Sequence, residues 1–338
     1  MNQLKDNQIY RQFEKYYQPV RQRRLKRWNA LLKIHTVSPD EKSPKLKRFV
    51  RKGVPHKYRA KVWMQLTNAQ SRMENSLGLY QDLLTRVDKD FKTLEQIELD
   101  IHRTFPDNKF FKDGKEDRKK LYNVLVAFAE YNKEIGYCQG MNYIAGLIVL
   151  VVREEEKAFW LLVCLIEEIL PEDYFCQKLT GITRDCSVLG DLVKDRILGT
   201  GDGHDDQWDL VTAKWFICLY IDVLPIQTTL RIWDCLLFEG DTVLFRVGIT
   251  LFNLRANQLA KASSIVDVID GLGNFAIEKQ VVNCHHFMNL LFEDKNAKVS
   301  REIIEDIRDD HRPIQRNKPK RMKTMLIHQC TQRLAMSS

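Results

Sequence analysis

The chain has 338 residues, enough for one large hydrophobic core or two smaller ones. With 44% hydrophobic and 29% charged residues it reads as a folded soluble protein, and only 15 Gly and 9 Pro argue against a loop-rich all-β architecture. The net charge of +8 is segregated, with 17 Lys and Arg against 4 acids in residues 1–60, 29 against 41 in 61–310 and 7 against none in 311–338, so the folded middle is acidic and offers no continuous nucleic-acid face.

The N-terminal stretch MNQLKDNQIYRQF holds no apolar signal core. In residues 20–34, Val20, Leu25, Trp28, Leu31 and Leu32 recur at spacings of three and four, which predicts a basic amphipathic helix. Docking on its own domain is the plainer reading of that helix, with contact to a membrane surface or partner as the alternative. Residues 35–44 are polar, contain two prolines and read as a linker.

From residue 53 onward the periodicity is helical. KYRAKVWMQLTNA carries Tyr58, Val62 and Leu66 on one stripe with Trp63 beside it, and TLEQIELDIHRTF carries Leu94, Ile97, Ile101 and Phe105 until FPDN stops it. DRKKLYNVLVAFAEYN turns Leu121, Val124, Leu125, Phe128 and Tyr131 inward. GYCQGMNYIAGLIVLVV opens on glycines and runs into a helix apolar on every side, a pattern that belongs at the centre of a fold.

EEEKAFWLLVCLIEEIL follows as a helix with acids in its first turn. The Gly- and Asp-rich residues 199–209 read as an exposed loop. LVTAKWFICLYIDVLP, QTTLRIWDCLLFEG and TVLFRVGITLFNLRANQLAK then predict three apolar helices. Past about residue 300 the chain turns charged and its last residues read as a basic tail. Neither a fixed-period repeat nor a useful strand alternation occurs, so the expected class is all-α.

The longest apolar run, residues 143–152, is about half a membrane span. Eight cysteines without a Cys-x-x-Cys pair read as reduced, mostly buried thiols of a cytosolic protein. Cys284-His285-His286 lacks a second ligand pair at zinc-finger spacing and reads as structural.

Familiar catalytic signatures are missing: no phosphate-binding Gly-x-x-x-x-Gly-Lys-Ser/Thr, no Gly-x-Ser-x-Gly, no His-Glu-x-x-His. Two polar residues stand out by position. Arg103 sits at the exit of a helix just before a proline turn, and Gln139 stands between Cys138 and Gly140 at the entry to the most apolar helix. Local roles suffice for both on these grounds. Arg103 can pair with Asp100 at i, i+3, worth about 0.3–0.5 kcal/mol if exposed, and Gln139 can cap a helix or satisfy buried carbonyls, while the short Gly140 leaves room for close backbone approach.

Three motifs add more. Arg59 to Trp63 reads Arg-x-x-x-Trp, Ile97 to Arg103 reads Ile-x-x-Asp-x-x-Arg, and Tyr137 to Gly140 reads Tyr-x-Gln-Gly, in that order along the chain. Together they resemble the TBC-domain family of Rab GTPase-activating proteins, over about residues 51–292, and the likeness is strongest to short members with little beyond the domain. The resemblance implies a two-lobed helical domain at 51–292, preceded by a basic extension at 1–50 and followed by a charged helix and basic tail at 293–338.

The resemblance further implies a partner, a Rab-family small GTPase in its GTP form, and a place in vesicle trafficking. GTP and Mg²⁺ would be held by that partner, so no cofactor or nucleotide site of the chain's own is expected, nor nucleic acid as a partner. Arg103 would be an arginine finger, Asp100 its positioning carboxylate and Gln139 a glutamine supplied in trans to orient the attacking water. Arg59, Trp63, Tyr137 and Gly140 would support the site, with Trp63 a packing anchor. The chain departs from its relatives at GTGDGHDDQ, which is shorter where they continue a helix.

Overall fold

Apolar residues spaced by three and four fold into helices throughout the computed structural model, which describes residues 8–35, 37–87, 92–112, 115–176, 178–198, 208–262 and 264–311. No strand occurs among the described residues. Of the expected exposed loop at 199–209, residues 199–207 lie outside them, as does the basic tail beyond 311. The last two residues of that stretch are not exposed loop, since Trp208 is buried and Asp209 opens the helix Asp209–Ile217. The chain divides into two compact units, one of residues 1–172 with Thr229–Gly240, the other of Asp173–Thr228 with 241–338.

The first unit is built round the helix Met141–Val152. Its sequence is apolar on every face, and eleven of its residues are buried, so it can only sit inside. Helices His56–Leu66, Lys92–Arg103, Lys115–Tyr131 and Glu155–Cys164 pack against it. Aromatic rings pack around Phe159, which meets Tyr131 and Trp160 edge-on at centroid distances of 5.7 and 5.0 Å and Tyr80, from the helix Leu79–Arg86, tilted at 5.2 Å.

The N-terminal helix runs Gln8–Ile34, beginning well before the predicted residue 20 and containing Pro19. Phe13 and Tyr17, one turn apart and stacked at 4.8 Å, extend the buried face that Trp28 and Leu31 continue. Val20, Leu25 and Leu32, predicted on the same stripe, are only half-buried. Trp28 fixes the helix to its own unit. Its indole packs edge-on to Phe49 at 5.7 Å and donates to the Gly53 carbonyl at 3.0 Å. The short helix Pro44–Lys52 starts behind Ser43, whose hydroxyl accepts from Leu46 N, with Pro44 at its first position.

The second unit gathers Trp208, Trp215, Phe216, Phe245, Phe252 and Phe275 between helices Thr180–Val193, Asp209–Ile217 and Thr242–Leu259. Two apolar runs read as single helices are interrupted. LVTAKWFICLYIDVLP ends its helix at Ile217, because Leu219 and Tyr220 adopt positive φ angles of 46° and 63°. That turn lets the buried Tyr220 hydroxyl donate to Leu244 O at 2.9 Å, satisfying a group that continued helix would have to place elsewhere. In the first unit, Glu155–Cys164 passes into a π-helical turn at Leu165–Ile169.

The last described helix, Arg301–Asp310, belongs to the second unit. Arg308 is buried and donates to Asp185 (2.9 and 2.6 Å) and to Asp241 (2.7 Å). Of the eight cysteines, Cys164, Cys186, Cys218, Cys235 and Cys284 are buried free thiols, and Cys138 and Cys176 are half-buried. No helix among the described residues is long and apolar enough to cross a membrane.

Candidate functional site

The helix Lys92–Arg103 buries Ile97 and Ile101 and, on the same face, Asp100. A buried carboxylate must be hydrogen-bonded, and Asp100 has three side-chain donors. Arg103 Nε donates to Oδ1 at 2.9 Å with Nη2 at 2.8 Å from the same oxygen, Gln96 Nε2 donates to Oδ1 at 3.1 Å, and the Tyr137 hydroxyl donates to Oδ2. Burial, and then the adjacent Asp100 charge, push the Tyr137 phenol well above its ordinary range, so it remains a donor.

This arrangement fixes one side of the Arg103 guanidinium and leaves the other unsatisfied. Its Nη1 is buried without a hydrogen-bond partner among the described residues, although the side chain as a whole keeps 15% of its surface exposed. An unsatisfied donor of this kind costs about 1–3 kcal/mol, and more for a charged group.

Gln139 lies in the turn that enters Met141–Val152 and is half-buried. Gly140 follows it with φ +102°, a conformation that only glycine adopts cheaply. The positive φ at Gly140 is therefore a backbone requirement for glycine at this turn. Asn142, fully buried, ties the turn to the other helix. Its Oδ1 accepts from Gly140 N at 3.1 Å, while its Nδ2 donates to Thr104 Oγ1 at 2.9 Å and lies 3.4 Å from Asp100 O. Thr104 in turn donates to Asp100 O at 2.7 Å. The residue after Gln139 and the residue after Arg103 are thereby bound to one amide.

Arg59 and Trp63 gather elsewhere in the first unit, on Asp234. This carboxylate is completely buried and accepts from Arg59 Nε (2.9 Å), Arg59 Nη2 (3.1 Å), Trp63 Nε1 (2.8 Å) and Val54 N (2.9 Å). Arg59 Nη2 also donates to Val54 O at 2.6 Å, and Trp63 packs on Trp233 at 5.8 Å. The stripe predicted for this helix had Tyr58 inward, yet Tyr58 is half-buried, and Arg59 occupies the interior because it finds Asp234 there.

A Rab-GTPase-TBC domain family model matches residues 56–260. The chain belongs to that family. It is 41% identical over 312 residues to growth hormone-regulated TBC protein 1 of Xenopus tropicalis, covering 91% of this chain and 90% of that protein. The Homo sapiens protein of the same name is 38% identical over 297 residues, covering 86% and 87%. Among solved structures it resembles the Chlamydomonas flagellar RabGAP TBC domain with a TM-score of 0.67 at 26% identity, over 84% of this chain and 96% of that one.

Within this TBC domain, sequence reasoning missed Asn142 and Asp234. Both left a signal. Asn142 is a lone polar residue inside the most apolar helix, and Asp234 is the single acid in TTLRIWDCLLF, so each had to find a buried partner. Their partners, far away in sequence, left none.

Proposed function

We propose that this TBC domain accelerates GTP hydrolysis by a Rab-family small GTPase in its GTP form, with Arg103 and Gln139 supplied in trans. The observation that carries the reading is the half-satisfied guanidinium of Arg103, clamped through Nε and Nη2 by Asp100 while Nη1 has no partner among the described residues.

Phosphoryl transfer spreads charge over the γ-phosphoryl oxygens, and an arginine from a partner raises the rate about 10³–10⁵-fold by stabilising it. A planar guanidinium held on one edge can present its other donors to two oxygens, which a lysine cannot do as well. Gln139 would orient the attacking water through its carbonyl, on a turn braced by Asn142 and Gly140. Asp100, Tyr137 and Asn142 act as positioning residues. Arg59, Trp63 and Asp234 hold the fold of the unit that bears them. The nucleotide and Mg²⁺ would belong to the GTPase, so the chain would act as a stimulator rather than a hydrolase on its own, and a role in vesicle trafficking is part of the same proposal.

The deciding experiment is phosphate release from a panel of GTP-loaded Rab proteins with and without the full chain. Acceleration of at least one of them by several orders of magnitude is expected. No acceleration of any would overturn the reading, and tight binding of a GTP-loaded Rab with unchanged hydrolysis would make the chain a non-catalytic adaptor.

A further inference from the structure

The helix Gln8–Ile34 contains a single acid, Glu14, and Arg21 already occupies it at 2.9 and 2.7 Å. The next helix, Pro44–Lys52, has none. Glu239 takes up two of its cations, Arg51 at 2.6 Å and Lys47 at 3.2 Å. Arg23, Arg27, Arg48 and Lys52 are exposed and form no ion pair among the described residues. Arg27, Arg48 and Lys52 are close together, because Trp28 seats the first helix on Phe49 of the second and on Gly53 just past its end, and Arg23 lies one turn before Arg27. Partial burial, and after it the charges of Arg48, Arg27 and Arg24, lower the Lys52 amine below its ordinary value.

The same flank carries two exposed apolar side chains. Tyr16 is 64% and Ile34 78% exposed. At 3.6 residues per turn, Tyr16, Arg23, Arg27 and Ile34 fall within about 40° of arc, so the cations lie between an aromatic and an aliphatic anchor. We infer that this flank, with Arg48 and Lys52 beside it, is a docking surface for an anionic lipid membrane. Unpaired cations supply attraction to acidic headgroups, and the two apolar side chains reach the interfacial region. A nucleic-acid backbone would meet the cations but give Tyr16 and Ile34 nothing apolar to cover them.

The test uses the full chain, co-sedimented with vesicles of phosphatidylcholine alone or with one-third phosphatidylserine. Binding to the acidic vesicles only is expected, weakening as salt rises above about 0.1 M. The triple variant Arg23→Gln, Arg27→Gln, Arg48→Gln should bind about a hundredfold more weakly, at about fivefold per cation. Tyr16→Ser with Ile34→Ser should weaken binding about tenfold.

Removing three exposed lysines of the second unit, Lys279→Gln, Lys295→Gln and Lys298→Gln, changes net charge equally and should shift binding no more than about twofold. Each protein keeps its basic C-terminal residues, so a loss reports on the patch. Equal binding of the first triple variant and the parent chain, equal binding to neutral vesicles, or binding to heparin or RNA but not vesicles would each overturn the proposal. Stimulation of a soluble GTPase is measured separately without vesicles and should be unchanged in the triple variant, so either reading can fail alone.

Discussion

Asn142 donates to Thr104 at 2.9 Å and accepts from Gly140 at 3.1 Å, so a single buried amide spans the ends of the two segments that carry Arg103 and Gln139. The positions of those two side chains relative to one another therefore depend on a residue that has no reason to touch a substrate. Asn142→Ala removes both bonds and leaves Gly140 N and Thr104 without their partner. It should cost about 1–3 kcal/mol of stability and reduce stimulated hydrolysis further than its fraction of folded protein explains. Urea unfolding alongside single-turnover phosphate release checks this. A rate that simply tracks the folded fraction would make Asn142 structural only.

Arg103→Ala should lower stimulated hydrolysis about 10³-fold or more while costing only about 1–3 kcal/mol of stability as the buried Asp100 loses its cation. Asp100 keeps Tyr137 and Gln96 as donors, and the unsatisfied Nη1 disappears with the side chain. Arg103→Lys should recover little of the loss, because an ammonium cannot hold Asp100 and bridge two oxygens together. Rapid-quench kinetics and thermal melts decide it, and a variant that keeps full stimulation removes the finger assignment.

Gln139→Ala should reduce the stimulated rate about 10²-fold without loosening the complex with GTP-loaded GTPase. Titration of binding against turnover separates the two effects. A matching loss of affinity would mean that Gln139 is a contact rather than a water-orienting group.

Asp234→Ala should be far more damaging to the fold than any change at Arg103. It strips Arg59 and Trp63 of their acceptor in a fully enclosed position, at about 3–5 kcal/mol. Trp63→Phe, which loses one donor but keeps most of the ring packing, should cost about 1–3 kcal/mol and leave the stimulated rate of the folded protein unchanged. Denaturation curves and rates per folded molecule would separate a supporting role from a catalytic one.

Alkaline pH offers a fifth lever. Burial raises the phenols of Tyr80, Tyr137, Tyr174 and Tyr220 above the ordinary value of 10. A phenol raised in the folded state keeps its proton there and loses it on unfolding, so stability is constant below about pH 10 and falls above it, by about 1.4 kcal/mol per pH unit per tyrosine. Phenolate absorbance of these four should appear only together with loss of helical circular dichroism, and Tyr137→Phe should remove one of them. Ionisation near pH 10 in folded protein would contradict their burial.

Helix identity was legible where periodicity was strong, as in Met141–Val152, whose uniformly apolar face could belong only to an interior. Boundaries were less so. Nothing local in CLYID announces that Leu219 and Tyr220 turn out of the helix, since the reason is a carbonyl at Leu244. Arg103 and Gln139 were visible through their motifs, and Asp100 through its i, i+3 spacing. Tyr137 reaching Asp100 and Asn142 reaching Thr104 are separated by 37 and 38 residues, so no helical or turn rule could place them. The polar character of both residues showed only that each needed a partner.

Asp234 receives its donors from Val54, Arg59 and Trp63, positions made 171–180 residues earlier in translation. As the polypeptide emerges from the ribosome at about 5–20 residues per second, these N-terminal groups wait on the order of ten seconds or more before their carboxylate exists. During that interval the nascent first unit holds an uncompensated cation where its interior must form. Completion of the N-terminal body is therefore a late event in biosynthesis, and a fragment cut at residue 172 inherits the vacancy permanently.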